Sequence, residues 1–143
     1  MANQKKDTRF DKFGTVSFTA LTKVNDFIDN LEKEKVTGTR CRHCGKTYFP
    51  PRADCYRCLH SDMEWFEVEG LGKLLSFSRL QYAPIGFEGD LPYTIALLDY
   101  GDYKVFGRID SAMTYEKLAV GIEMKTLVSK LDNGQLTYVF QEA

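Results

Sequence analysis

The sequence predicts a mainly β protein with an N-terminal helix, built as a small cysteine ribbon followed by a five-stranded barrel. Three observations predict it. Two Cys-x-x-Cys pairs, Cys41/Cys44 and Cys55/Cys58, stand ten residues apart. Before them, apolar residues recur at three- and four-residue spacing, the period of a helix face. After them, apolar residues alternate with polar ones at period two, the pattern of half-buried strands.

Residues 1–16 read as a loosely held arm whose large apolar groups are Phe10, Phe13 and Val16. A helix is expected from Ser17 to Lys35. Phe18, Leu21, Val24, Phe27, Ile28 and Leu31 fall on one stripe, with Ser17 as N-cap. Lys33 and Lys35 complement the dipole of its last turn, and Gly38 is the expected stop. The stripe either packs on the chain's own core or docks on a partner subunit. Residues 1–38 are thus taken as arm and helix, 39–68 as a metal ribbon, and 69–143 as a β domain.

Two residues between cysteines let a tight turn aim both sulfurs at one point. Two such knuckles face to face make a tetrahedral thiolate site, so Cys41, Cys44, Cys55 and Cys58 are the expected ligands of one structural zinc ion. Gly45 suits the first knuckle, where the residue after the second cysteine often needs positive φ. The second knuckle has Leu59 there, so a less regular turn is expected. Four thiolates fill the coordination sphere, so this metal should hold a short segment together and not catalyse. His43 and His60 flank the knuckles as substitute ligands of lower rank, and a rubredoxin-like iron site or a redox dithiol are the competing readings.

Beyond the ribbon, strands are expected at Met63 to Val68, Lys73 to Tyr82, Pro92 to Asp99, Tyr103 to Asp110, Ile122 to Leu131 and Gln135 to Gln141. The last two form a hairpin across Asp132-Asn133-Gly134, where Asn-Gly signals a turn. A short helix capped by Thr114 is expected up to Ala119, ended by Gly121. Five strands with a helix between the third and fourth match an OB-fold barrel. A five-stranded sheet of another topology gives the same pattern.

Composition bounds the function. The 143 residues, 43% hydrophobic and 27% charged, make a globular balance. No apolar run approaches the roughly 18 residues needed to span a bilayer, and the polar stretch Met1 to Phe13 is no signal peptide. A cytoplasmic, reducing location is therefore expected, where four cysteines favour metal over disulfides. The net charge of −1 hides an asymmetry. Residues 40–60 carry five basic groups against Asp54 alone, while residues 61–143 carry seven against thirteen acidic ones. A nucleic-acid binder needs a basic main face, so an acidic β part argues against that class. The ribbon and aromatics such as Tyr82, Phe87 and Tyr93 nevertheless keep a single-stranded nucleic-acid-binding module as the alternative reading. A rubredoxin-like electron carrier is a third. No nucleophile, phosphate-loop or zincin motif occurs, and both histidines sit in the ribbon, so no catalytic residue is expected.

The run Cys41-x-x-Cys44-Gly45-Lys46-Thr47-Tyr48-Phe49-Pro50-Pro51-Arg52, followed by Cys55-x-x-Cys58, resembles the DUF35 family. Gly70 to Ser78, Leu91 to Leu98 and Leu118 to Ile122 resemble its barrel segments, and the likeness covers about residues 18–141. It implies a rubredoxin-like zinc ribbon joined to an acyl-CoA-associated OB-fold. Members of that family partner thiolases, HMG-CoA synthase-like enzymes or MaoC-type hydratases and are usually not enzymes alone. The resemblance therefore implies a non-catalytic accessory subunit in a hetero-oligomer with a thiolase-fold subunit, binding coenzyme A or acyl-CoA and neither membrane nor nucleic acid. On that footing Arg52, Arg57, Lys73 and Arg79 are the expected groups for the CoA phosphates.

Overall fold

The computed structural model describes residues 6–16 and 22–143. Among the described residues one α-helix, α1 (Asp26–Glu32), precedes β1 (Thr37–Cys41), β2 (Thr47–Tyr48) and β3 (Met63–Glu67). These three form a sheet in the order β2-β1-β3. Strands β4 (Gly72–Leu80), β5 (Tyr93–Asp99), β6 (Lys104–Ile109), β7 (Glu123–Lys130) and β8 (Leu136–Glu142) close into a barrel in the order β4-β5-β6-β8-β7. This is the OB-fold connectivity. Its one parallel seam, β6 against β8, rests on Arg108↔Val139 and Ile109↔Phe140. A bulge between Leu74 and Ser76 bends β4 so that it pairs with β5 along its length and with β7 at its start.

The five expected barrel strands are all present, each within two residues of its predicted ends. The hairpin between β7 and β8 has a three-residue loop, 132–134, closed by Leu131 N–H donating to the Gln135 carbonyl at 2.8 Å. The expected helix after Thr114 is only a 3-10 turn, Tyr115–Lys117, and Thr114 makes no side-chain cap bond.

The leading helix is far shorter than its apolar stripe. Ser17, Phe18 and Leu21 lie outside the described residues. Thr22 to Asn25 are not helical, because local side-chain bonds compete with helix there. The Thr22 hydroxyl accepts from Val24 N–H at 3.2 Å, and the Asn25 amide donates to the Thr22 carbonyl at 2.7 Å. Phe27, Ile28 and Leu31 are buried in the same core as Leu74, Leu98, Val105, Met124 and Phe140, so this face packs inside the chain.

Lys33 and Lys35 lie beyond the last turn. There Glu34 N–H donates to the Leu31 carbonyl at 2.9 Å and Lys35 N–H to the Asn30 carbonyl at 2.8 Å. That is a Schellman ending with Glu34 at φ 62, the position glycine prefers. The exposed Glu34 side chain gains little there, so Glu34→Gly should stabilise the fold by about 1 kcal/mol. Urea unfolding checks this; a lower midpoint contradicts it.

Gly38 does not stop a helix; it lies inside β1. A Cβ there would collide with the backbone oxygen of Tyr48 and stand 2.7 Å from the Phe66 ring. Glycine is present for close packing. The ribbon sheet is tied to the barrel beside it: Phe66 packs on Tyr103 at 4.8 Å, and the Thr47 hydroxyl donates to the Asp102 carbonyl at 2.8 Å. On the other flank an arm, residues 6–16, straps helix to barrel. Arg9 pairs with Asp7, Asp26 and Asp29. Phe10 and Phe13 pack on Phe27, and Gly14 N–H donates to the Leu136 carbonyl at 2.8 Å. Among the described residues no helix is long and apolar enough to cross a membrane.

Candidate metal centre

Strand β1 delivers Cys41 to the first knuckle, where Gly45 N–H donates to the Cys41 carbonyl at 2.8 Å and Gly45 adopts φ 79. The second knuckle repeats the geometry: Leu59 N–H donates to the Cys55 carbonyl at 2.9 Å and Leu59 adopts φ 63. The less regular turn expected at Leu59 is not found. The leucine is forced into the glycine conformation instead.

The four sulfurs all lie within 4.8 Å of one another. Cys41 and Cys58 Sγ are 3.5 Å apart, and Cys44 and Cys55 Sγ 3.6 Å apart. Zinc–sulfur bonds of about 2.3 Å in a tetrahedron require sulfurs about 3.8 Å apart, so this donor set fits zinc. Cys41 and Cys55 are buried, and with Tyr48 they form a small cluster of their own, separate from the main core.

The surroundings favour thiolate at Cys41 and Cys55. The Tyr48 hydroxyl lies 3.1 Å from Cys55 Sγ, and His60 Nδ1 lies 3.3 Å from Cys58 Sγ. Burial and then the Cys55 contact push the Tyr48 hydroxyl up to about 12, so it remains a donor. Burial raises Cys55, but the Tyr48 hydroxyl and the Cys58 and Arg57 N–H groups outweigh it and bring the thiol down to about 6. The Cys44 N–H holds Cys41 below its usual range. Burial pushes Cys58 up to about 12. Four thiolates packed this closely call for a cation, and zinc supplies one. The site is a structural zinc centre with no position left for water or substrate. His43 and His60 stack on each other at 3.7 Å beside it, outside the four-sulfur set.

The other predicted residues are spread over the surface. Arg52 lies over the Tyr48 and Tyr56 rings at 5.6 and 5.3 Å. Arg57 is exposed on the second knuckle, and Lys73 is exposed near the start of β4. Arg79 sits over Tyr115 at 5.6 Å and lines a groove of about 1160 Å³ across the β5–β6 face of the barrel. Arg52, Arg57 and Lys73 do not line that groove. Sequence reasoning missed a second arginine in it. Arg108 pairs with Asp90 at 3.0 Å and stacks 3.9 Å from the Tyr93 ring centroid. An arginine within the apolar run Val105 to Ile109 was the available signal.

Comparison with known proteins agrees with this architecture. Residues 30–64 match the family model of the ChsH2 rubredoxin-like zinc ribbon domain. A DUF35 domain-containing scaffold protein of Methanocaldococcus jannaschii is 28% identical over 116 residues, covering 77% of this chain and 82% of that protein. Its counterpart in Pyrococcus furiosus is 26% identical over 114 residues, covering 77% and 83%. Among solved structures, a chain of an Ltp2-ChsH2(DUF35) aldolase superposes with a TM-score of 0.70 at 21% identity, over 87% of this chain and 98% of that one. A DUF35-family protein of unknown function from Sulfolobus solfataricus gives 0.54 at 19% identity, over 82% and 81%. At these identities the solved structures attest the fold.

Proposed function

The chain belongs to the DUF35 family, and on that premise we propose that it is a non-catalytic accessory subunit of a thiolase-type acyl-CoA enzyme. One observation carries this reading: the cysteines are committed to a closed metal centre and both histidines stack beside it. That leaves the barrel without a thiol or an imidazole, so the reading places the acylated nucleophile on a partner. The scaffold role of the archaeal relatives and the enzyme partnership of the aldolase neighbour support a hetero-oligomer.

In this reading the ribbon docks on the enzyme subunit and the barrel helps to enclose coenzyme A; the helix, expected to dock as well, has its apolar face in the chain's own core. Of the four basic groups expected at the phosphates, Arg79 lines the groove and is the one we keep for that role, since Arg52, Arg57 and Lys73 lie away from it. The reaction we assign is benzoylsuccinyl-CoA thiolysis, in anaerobic toluene degradation. The chain's length and its separate ribbon support that choice, and the short α1 removes the long helix as a further support.

The test is recovery of the tagged chain from its native host, with mass spectrometry of what accompanies it. A thiolase-fold subunit at near-equal amount is expected, with thiolysis by the complex and none by the isolated chain. Activity of the isolated chain sinks the proposal. Nucleic acid in its place would support the binding module that the basic ribbon suggests.

A further inference from the structure

Tyr48 reaches the metal centre from outside its four ligands. It ends β2, paired with Thr39 of β1, and lies in sequence between Cys44 of the first knuckle and Cys55 of the second. From there its hydroxyl crosses to the second knuckle and stands 3.1 Å from Cys55 Sγ. A zinc-bound cysteine is a thiolate with no proton to give, so the hydroxyl donates and the sulfur accepts.

The bond falls where the charge is hardest to solvate. Zinc held by four thiolates keeps excess negative charge. Cys44 and Cys58 are half-buried, so water solvates their share, but Cys41 and Cys55 are buried and depend on donors from the protein. Cys41 faces the N–H groups of Cys44 and His43, and Cys55 those of Cys58 and Arg57. Among the described residues Tyr48 is the one side chain outside the ligand set that reaches a buried sulfur. His60 Nδ1, at 3.3 Å, meets half-buried Cys58. Tyr48 is itself buried, and its ring meets Tyr56 edge-on at 5.2 Å, so packing fixes the hydroxyl in place.

We infer that Tyr48 is a positioning residue of the metal centre, whose hydroxyl, donating to the Cys55 thiolate, helps the ribbon to retain its zinc. A hydrogen bond to a charged acceptor is among the stronger ones. Without it part of the charge on Cys55 stays buried and uncompensated. The zinc-loaded state alone bears that cost, because a ribbon that has lost its metal opens to water. The ring is not the agent, since phenylalanine would fill the same space. The inference stands on the metal centre and is independent of the accessory-subunit reading.

Tyr48→Phe removes the hydroxyl and keeps the ring. Zinc affinity of the full chain is measured by competition with a chromogenic chelator. The same chain loaded with cobalt(II) reports on the sulfurs through its thiolate-to-metal charge-transfer band. Tyr56→Phe, at the exposed neighbour, is the control. Tyr48→Phe should lower zinc affinity roughly tenfold or more. It should also move the charge-transfer band to lower energy, because a thiolate that has lost a donor gives up an electron more easily. The ligand-field bands should keep the pattern of four thiolates, and Tyr56→Phe should match wild type in every respect. Unchanged zinc affinity overturns the inference. So does weaker binding with an unmoved band, which assigns the loss to packing, and so does an equal change in Tyr56→Phe. A Tyr48→Phe site that fails to assemble around cobalt overturns it as well, the hydroxyl then being needed to fold the ribbon and not to retain its metal.

Discussion

Removing the metal with a chelator will unfold residues 41–62 while the barrel keeps its protected core. The apolar groups around the sulfurs are few: buried Cys41, Tyr48 and Cys55, with Cys44, Cys58 and Met63 packed against them. Strand β2 is two residues long. Nothing of that size folds unaided, and metal binding to such a module contributes on the order of 10–16 kcal/mol. The larger core, from Phe27 through Phe140, shares none of those residues. Hydrogen exchange followed by mass spectrometry should show the ribbon amides becoming labile and the β4, β5 and β7 amides staying slow, with one zinc released per chain. Cys55→Ser should act in the same way. Equal loss of protection in the barrel would show that the two cores fold as one.

Phe140→Ala is the substitution expected to damage the barrel most. Phe140 is fully buried on β8 and pairs with Ile109 in the two-residue parallel seam that closes the barrel. Its ring also fills the space beside Gly107, where a Cβ would come within 3.0 Å of it. Truncation leaves a cavity at the seam, so a loss of about 3–5 kcal/mol is expected. A domain of this size has roughly 5–15 kcal/mol in all. Urea unfolding of the zinc-loaded protein measures the effect. Phe106→Ala, at a half-exposed position on the neighbouring strand, should cost far less. A shift below 1 kcal/mol for Phe140→Ala would mean that the seam is not where the barrel is held.

Both targets were visible in the amino-acid sequence to different degrees. The zinc ligands were legible because Cys-x-x-Cys spacing is a geometric requirement of the metal. The barrel strands were legible because their two faces differ and the residues alternate. Strand β1 was not, since Thr37, Gly38, Thr39 and Cys41 are all buried and show no alternation. The helix was overread because an apolar stripe says which residues face a core and not where the backbone stops coiling. Its end at Glu34 carried no glycine to mark it. The outer partners of the sulfurs, Tyr48 and His60, depend on side chains meeting across the ribbon. Arg79 and Arg108 share a groove although they lie on different strands. Spacing along the chain cannot show such meetings.

The strap at the N-terminus has a consequence for how the protein is made. Phe13 bridges to Leu136, and the Gln135 amide donates to the Asp11 carbonyl across 124 positions of sequence. Asp11 is therefore synthesised 124 residues before the group that docks it. At roughly 5–20 residues per second the wait is about 6–25 s. Through that interval Phe13 lacks the Tyr138 ring that it stacks on in the folded chain. The β7–β8 hairpin, once made, supplies that cover and closes the barrel.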